Sequence, residues 1–226
     1  MPFDVARYND LIARATFDAS FYKGTWQDVG RNRFAMQPNN SPGWTQMNGL
    51  PMMSMPATNN YPYSVLQAPQ FVDVTGTFFV EWLCCHRRGT GYHRPISHFD
   101  ADGGFASGTY MTNGYVGLQL FRAGGAWAVE LYTANSVAKY NQPIHVIIES
   151  TNAGASGKCW VRGLPVALNR ASAGPAVNSA AAYIRSGSTD GSAVGDVMLS
   201  RVWTGACSNA DATCLYGSAK SLVGEV

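Results

Sequence analysis

The stretch Asn141 to Leu168, NQPIHVIIESTNAGASGKCWVRGLPVAL, decides the fold. Pro143 to Glu149 is dense in β-branched residues, a pattern that favours a pleated, half-buried strand. Thr151 to Gly157 interrupts it with Gly154, Gly157 and small polar residues, the composition of a hairpin loop. Lys158 to Arg162 then alternates polar with apolar side chains, and Gly163-Leu164-Pro165 turns the chain again. Strand, loop, alternating strand and turn together predict antiparallel β-structure.

The same signals recur on either side. Gly76 to Cys85 is the strongest strand in the chain, rich in aromatic and β-branched residues. Arg94 to Phe99 is expected to be its partner, and Asp100 to Gly104 is a turn by composition. Tyr115 to Phe121 and Ala126 to Tyr132 flank Arg122-Ala-Gly-Gly125, another hairpin signal. With further strands near Tyr183 and Val197, strands recur about every dozen residues, the spacing of a sandwich or barrel. No run alternates helix with strand, which argues against a parallel α/β fold. Asp4 to Arg14 reads either as a short helix with Val5, Tyr8, Leu11 and Ile12 on one face or as a first edge strand. Ala15 to Tyr22 supplies an early strand, and Trp26 and Val29 are expected in the core. Ser208 to Asp211 opens a short late helix, with Ser208 as its N-cap. No period repeats and no linker divides the chain, so residues 1–226 read as one domain.

Two phrases carry a family resemblance. Tyr140 to Val166 resembles the central hairpin of laminin-G-like, concanavalin-A-like lectin/glucanase domains: His145 stands in the family's histidine position, Trp160 and Val161 in the following strand, and Gly163 in its turn. Pro143-Ile144 replaces the aromatic that usually precedes the histidine. Ala181 to Gly205 resembles the family's closing strand-turn-strand, with Asp196, Val197, Leu199, Arg201 and Val202 filling its pattern. These matches cover about the C-terminal third and encode packing and turns. The resemblance implies a two-sheet antiparallel jelly-roll sandwich. Such sandwiches are common among accessory virion proteins of bacterial viruses, which implies a capsid decoration protein or a part of a tail or fibre. It also suggests an alternative, ranked second: a carbohydrate-binding module recognising a cell-surface glycan.

Composition narrows the field. The sixteen Lys and Arg are scattered and the net charge is +2, unlike the clustered basic face of a nucleic-acid binder. Charged residues make up 13% of the chain, about half the usual share, so much of the surface is expected to be covered by other protein subunits in a homo-oligomer or larger particle. No apolar run is long enough to span a membrane, and the first residues show no secretory h-region. Five cysteines, with Cys84 and Cys85 adjacent, read as free thiols of a reducing compartment, consistent with assembly in a host cytoplasm and residence in a virion. From Phe34 to Val72 no residue is charged, while Met36, Met47, Met52, Met53, Met55 and repeated prolines crowd the segment. It is expected to form an extended, loop-rich layer with two short strands, either wrapping its own sandwich or facing a neighbouring subunit.

The candidate sites are few. A glucanase needs paired carboxylates on one strand face, but none of Glu81, Glu130, Glu149 and Glu225 has an acidic residue two or four positions away. No catalytic residue is therefore assigned. Asp100 and Asp102, or Asp190 and Asp196, could hold Ca²⁺ with loop carbonyls, yet Asp-x-Asp-Gly is also an ordinary Asx-type turn. His86, His93 and His98 with Cys84 and Cys85 match no zinc spacing, so no metal ligand is assigned. Trp44, Tyr61, Tyr63, Tyr92 and Tyr110 fall in expected loops and are the candidate stacking platforms for a sugar.

Overall fold

A computed structural model describes residues 3–25, 27–39, 42–55, 61–64, 71–110, 112–179, 182–189 and 194–222, with the backbone alone at 39, 61–64 and 188–189. Helix α1 (Val5–Arg14) leads into β1 (Phe17–Ser20), followed by β2 (Met36–Asn39), β3 (Gly43–Met47), β4 (Leu50–Met55) and β5 (Tyr61–Ser64). The middle of the chain forms β6 (Phe78–Arg88), β7 (Tyr92–Asp100), β8 (Gly103–Tyr110), β9 (Tyr115–Phe121) and β10 (Trp127–Thr133). Next come β11 (Pro143–Thr151), β12 (Ser156–Val161), β13 (Leu164–Val166) and β14 (Leu168–Ser172). The short β15 (Ile184–Arg185) and β16 (Ser188–Thr189), the long β17 (Val194–Thr204) and helix α2 (Asn209–Leu222) complete it.

The strands form two antiparallel sheets. One has the order β13-β12-β11-β6-β17-β4-β3, with β1 added along β17; the other runs β14-β10-β9-β8-β7-β15-β5-β2, with β16 against β7. They stack face to face, β12 over β14, β11 over β9, β6 over β8 and β17 over β7. The fold is an all-β, two-sheet sandwich consistent with a jelly roll, as the strand spacing and the hairpin at Asn141–Leu168 predict.

The first sheet is buried on both sides because both sides are covered. Along β6, Phe78, Val80, Trp82 and Cys84 enter the core between the sheets. The alternate residue Phe79 points the other way and joins Leu11, Ile147, Trp160, Trp203 and Leu215 beneath the two helices. Burying each such side chain stabilises the fold by about 1.5–3 kcal/mol. Phe79 and Trp203 stack at 4.7 Å, and the Trp203 indole donates to the carbonyl of Leu11 at 2.8 Å, tying α1 down. Asp4 caps α1 by accepting from Arg7 N–H at 3.0 Å, which settles the choice between helix and edge strand in favour of the helix. Ser208 and Asp211 form a reciprocal cap on α2: Asp211 N–H donates to Ser208 Oγ at 3.1 Å, and Ser208 N–H to Asp211 Oδ2 at 3.0 Å. The cap is where the sequence puts it, but the helix that follows has fourteen residues rather than a short turn.

Four expectations change. Arg94–Phe99 belongs to β7, which lies in the opposite sheet from β6, because β11 and β17 already occupy both edges of β6. Val29 is 47% exposed; in its loop the neighbouring Asp28 is the buried residue, its carboxylate accepting the N–H groups of Asp18, Gly30 and Phe34. Trp26 lies outside the described residues. The segment Phe34–Val72 contributes four strands rather than two, and Met36, Met52, Met53 and Met55 are buried in it. Asn48-Gly49, both at positive φ, make the tight turn of the β3–β4 hairpin and were the legible signal for it. Finally, the turn after Trp160 is made by Arg162-Gly163, both left-handed, and Pro165 sits in β13, an edge strand where a missing N–H is tolerated. At Gly163 a Cβ would meet the Tyr216 ring at 2.8 Å, so glycine is required twice over.

Candidate functional site

The helices cover one face of the first sheet, whereas the outer face of the second sheet carries a groove of about 250 Å³. Neighbouring strands bring its lining together. Tyr92 pairs with Tyr110, Tyr110 with Tyr115, and Tyr132 with Gly117, so four tyrosines from β7, β8, β9 and β10 flank a floor left open by a glycine. The Tyr92 and Tyr110 rings stack at 4.6 Å, and those of Tyr115 and Tyr132 lie 5.6 Å apart. Trp127, 41% exposed, closes one side. Gly117 has Leu131 O where a Cβ would lie within 3.0 Å, and on the adjacent strand a Cβ at Gly108 would strike the carbonyl of His93 at 2.0 Å. The small residues in these rows are therefore dictated by the backbone, and the hollow between the aromatic rows follows from them.

Glu130 is the acidic residue of the groove. Its Oε1 accepts the Tyr92 hydroxyl at 2.7 Å and the Gln119 amide at 3.1 Å. Burial, then Glu130, push the Tyr92 phenol well above its ordinary pKa, so it remains a donor. Among the described residues, the hydroxyls of Tyr110, Tyr115 and Tyr132, the Trp127 indole N–H and Glu130 Oε2 make no hydrogen bond. Aromatic faces beside unengaged donors and acceptors are what a small polar ligand needs. Glu130 is the one carboxylate in the lining, so the two-carboxylate chemistry of a glycosidase has no second partner there.

Other candidates are placed elsewhere. Tyr92 and Tyr110 meet in the groove, although on strands rather than loops; Trp44 lies apart, on the edge strand β3 of the other sheet, and the side chains of Tyr61 and Tyr63 lie outside the described residues. Tyr115, Trp127 and Tyr132 read as ordinary strand aromatics; their alternation with core residues Val116, Leu118 and Leu131 was the available signal for an outward face. Asp100 accepts from Asp102 N–H at 2.8 Å and from the Ser179 hydroxyl at 3.1 Å, the geometry of an Asx turn joining β7 to β8. Asp196 is buried and ion-paired with Arg87; Asp190 and Glu225 lie outside the described residues. No group of three or more His, Cys, Asp or Glu among the described residues could hold a metal ion. His86 and His93 meet edge-on at 5.6 Å, His86 bonded to Thr109 at 3.1 Å. All five cysteines are unpaired and buried, and burial pushes Cys85 up to about 11 and Cys159 to about 12, which removes them as nucleophiles.

A second polar cluster is structural. In register across three strands, Asp18, Arg201 and Glu81 share one row on the helix-covered face. Arg201 donates to Asp18 at 3.1 Å and Glu81 at 3.2 Å, and Glu81 also bonds His145 at 2.8 Å. Burial alone would raise the Glu81 pKa, but Arg201 and His145 overcome it and hold it below the ordinary value. No member is more than 3% exposed, so this cluster is closed to ligands. A wider cleft of about 780 Å³ lies between α1 and α2, and its Arg7 is already engaged with Asp4 and Asp211.

No protein-family model matches the chain, and no curated protein matches it by sequence. Among solved structures it is similar to the binding domain of Paraclostridial Mosquitocidal Protein 1 (TM-score 0.71, 11% identity, 92% of this chain and 53% of that one). It is also similar to the ligand-binding domain of botulinum neurotoxin serotype D in complex with N-acetylneuraminic acid (TM-score 0.70, 10% identity, 94% and 52%). The serotype G binding domain gives a TM-score of 0.67 at 10% identity, over 92% and 51%. The chain thus spans about half the length of these structures, and at such identities the likeness is one of fold. That fold is a β-sandwich, compatible with the lectin-like jelly roll that His145, Trp160 and Gly163 suggest.

Proposed function

We propose that the chain is a non-enzymatic glycan-binding module and that the groove on the outer face of the second sheet is its binding site. The observation that carries this reading is the set of half-exposed aromatics, Trp127 with the four tyrosines, converging around Glu130, with the polar groups of Trp127, Tyr110, Tyr115 and Tyr132 unengaged among the described residues and Tyr92 holding Glu130. Sugar rings stack their C–H faces on such side chains while the polar groups fix orientation. A groove this small suits one or two sugar rings. The sugar-bound neurotoxin structure adds support at the level of fold only. Binding through aromatics and one carboxylate requires no metal ion and is expected to survive EDTA. Trp127→Ala is expected to abolish glycan binding on an array or in calorimetry while shifting stability by less than about 0.5 kcal/mol, because the side chain is a surface one. Trp44→Ala, equally exposed at 41% but on the other sheet, is the control and should bind normally. Loss of binding in both variants, or in neither, would remove the groove from consideration.

A second reading, compatible with the first, is that the module is a virion accessory component, in a capsid decoration, tail or fibre, assembling through its uncharged flank. What favours it is the placement of β3 and β2: each ends its sheet, and the stacking of the sheets puts both on the same side of the sandwich. Pro38 and Pro62 face each other in the β2–β5 pair and blunt that edge, but β3, Gly-Trp-Thr-Gln-Met, has neither proline nor charge. An edge strand without such protection is a template for pairing with another chain. Light scattering should show a defined oligomer, and Thr45→Lys on β3 should dissociate it. A monomer at all concentrations that also ignores capsid and tail proteins would refute this second reading.

A further inference from the structure

We infer that the groove selects uncharged sugars and rejects acidic ones, with Glu130 as the discriminating residue; this rests on the glycan-binding reading above. Glu130 is the one charged residue in the lining, and no lysine or arginine joins it there. Of the cations nearest in sequence and register, Arg94 stacks on aromatic rings at the groove's border and Arg170 faces away from it. Arg94 lies over the rings of Tyr92, at 5.0 Å, and Phe99, at 5.6 Å, outside the lining. Arg170, beside the lining residue Ala171, is on the opposite face of β14 and donates to the carbonyl of Gly154 at 2.7 Å. A sugar carboxylate entering the groove would thus meet the like charge of Glu130 and no lysine or arginine in the lining.

The geometry of Glu130 sharpens the argument. Tyr92 and Gln119 both donate to Oε1, which fixes the carboxylate plane, while Oε2 has no hydrogen bond among the described residues. A fixed, half-buried carboxylate oxygen accepts from sugar hydroxyls in charge-assisted bonds, which are stronger than neutral ones. The same partial burial lowers the effective dielectric, so repulsion of a second anion is felt more than at an open surface. Attraction to hydroxyls and repulsion of acids come from one atom pair, and specificity is their difference. N-acetylneuraminic acid, the ligand of the serotype D structure, is an acidic sugar of the excluded kind.

The test is a glycan array carrying neutral oligosaccharides beside the same structures capped with N-acetylneuraminic acid or glucuronic acid, followed by calorimetry on the best matched pair. Wild type is expected to bind the neutral member at least about tenfold more tightly. Glu130→Gln, which keeps the shape and can still accept from Tyr92, should bring the pair to within about threefold. Raising the salt concentration should narrow the wild-type gap and leave the variant unchanged. Tight binding of the acidic members, lost in Trp127→Ala, would overturn the charge rule while leaving the glycan site standing. If no glycan of either kind binds in a Trp127-dependent way, the glycan-binding reading itself fails and this inference with it.

Discussion

Replacing Arg201 by methionine is expected to destabilise the sandwich by about 3–5 kcal/mol, read as a shift in urea midpoint at pH 7. Arg201 is 1% exposed and is held between Asp18 and Glu81, themselves 1% and 0% exposed. Removing the cation leaves two buried carboxylates, with the His145 bond to Glu81 and the Ser20 hydroxyl bond to Asp18 remaining among the described residues. The cost is thus the uncompensated charge rather than the bond itself. A triple replacement, Arg201→Met with Asp18→Asn and Glu81→Gln, should recover a substantial part of the loss, because it neutralises what the single change exposes. Arg201→Lys is the milder variant because it keeps the positive charge, although one ammonium cannot reproduce the fork that reaches both carboxylates. Loss of less than about 1 kcal/mol in Arg201→Met would mean that the cluster relaxes or takes up water, and that its charges are not sealed. Glycan binding by the folded fraction should be unchanged, because the cluster lies on the sheet opposite the groove.

His93 sets the second large effect, an acid lability. Its ring is completely buried, and among the described residues neither nitrogen finds a hydrogen-bond partner. Burial, reinforced by His86, lowers its pKa from the ordinary 6.5 to about 3. The unfolded chain therefore binds a proton between these values that the folded chain refuses, so stability falls as pH falls from about 6.5 to about 3. At about 1.4 kcal/mol per pH unit, His93 removes on the order of 4 kcal/mol by pH 3. His86, also lowered by burial, acts in the same direction. Glu81 acts in a lower window: its folded pKa is depressed, so its contribution is present above the ordinary carboxylate range and is lost only as pH falls through the folded value. His93→Leu should be close to neutral at pH 7, since no hydrogen bond is lost, and should flatten the decline in urea midpoint between pH 6 and pH 4. An unchanged pH slope in His93→Leu would show that the ring is not the group resisting protonation.

The sequence alone determined whatever depends on neighbours along the chain. The β-branched run at Pro143–Glu149 and the alternation from Lys158 to Val161 are local preferences and form the strands expected, while the loop between them shrinks to residues 152–155, with Gly157 paired in the second strand. The reciprocal cap of Ser208 and Asp211 spans three residues and could be read directly. So could the absence of a glucanase carboxylate motif, which is an inventory. What only the tertiary structure decided is which strand lies beside which. Tyr92 reaches Glu130 across 38 residues of chain, and Arg201 reaches Asp18 across 183. A strand's period tells which residues share a face, but not whether a helix, a second sheet or solvent will cover it. The aromatics of β6 and β17 and those of β9 and β10 therefore look alike in sequence. Two helices close over Phe79 and Trp203 and bury them, and the outward aromatics of β9 and β10 remain open at the surface as the groove.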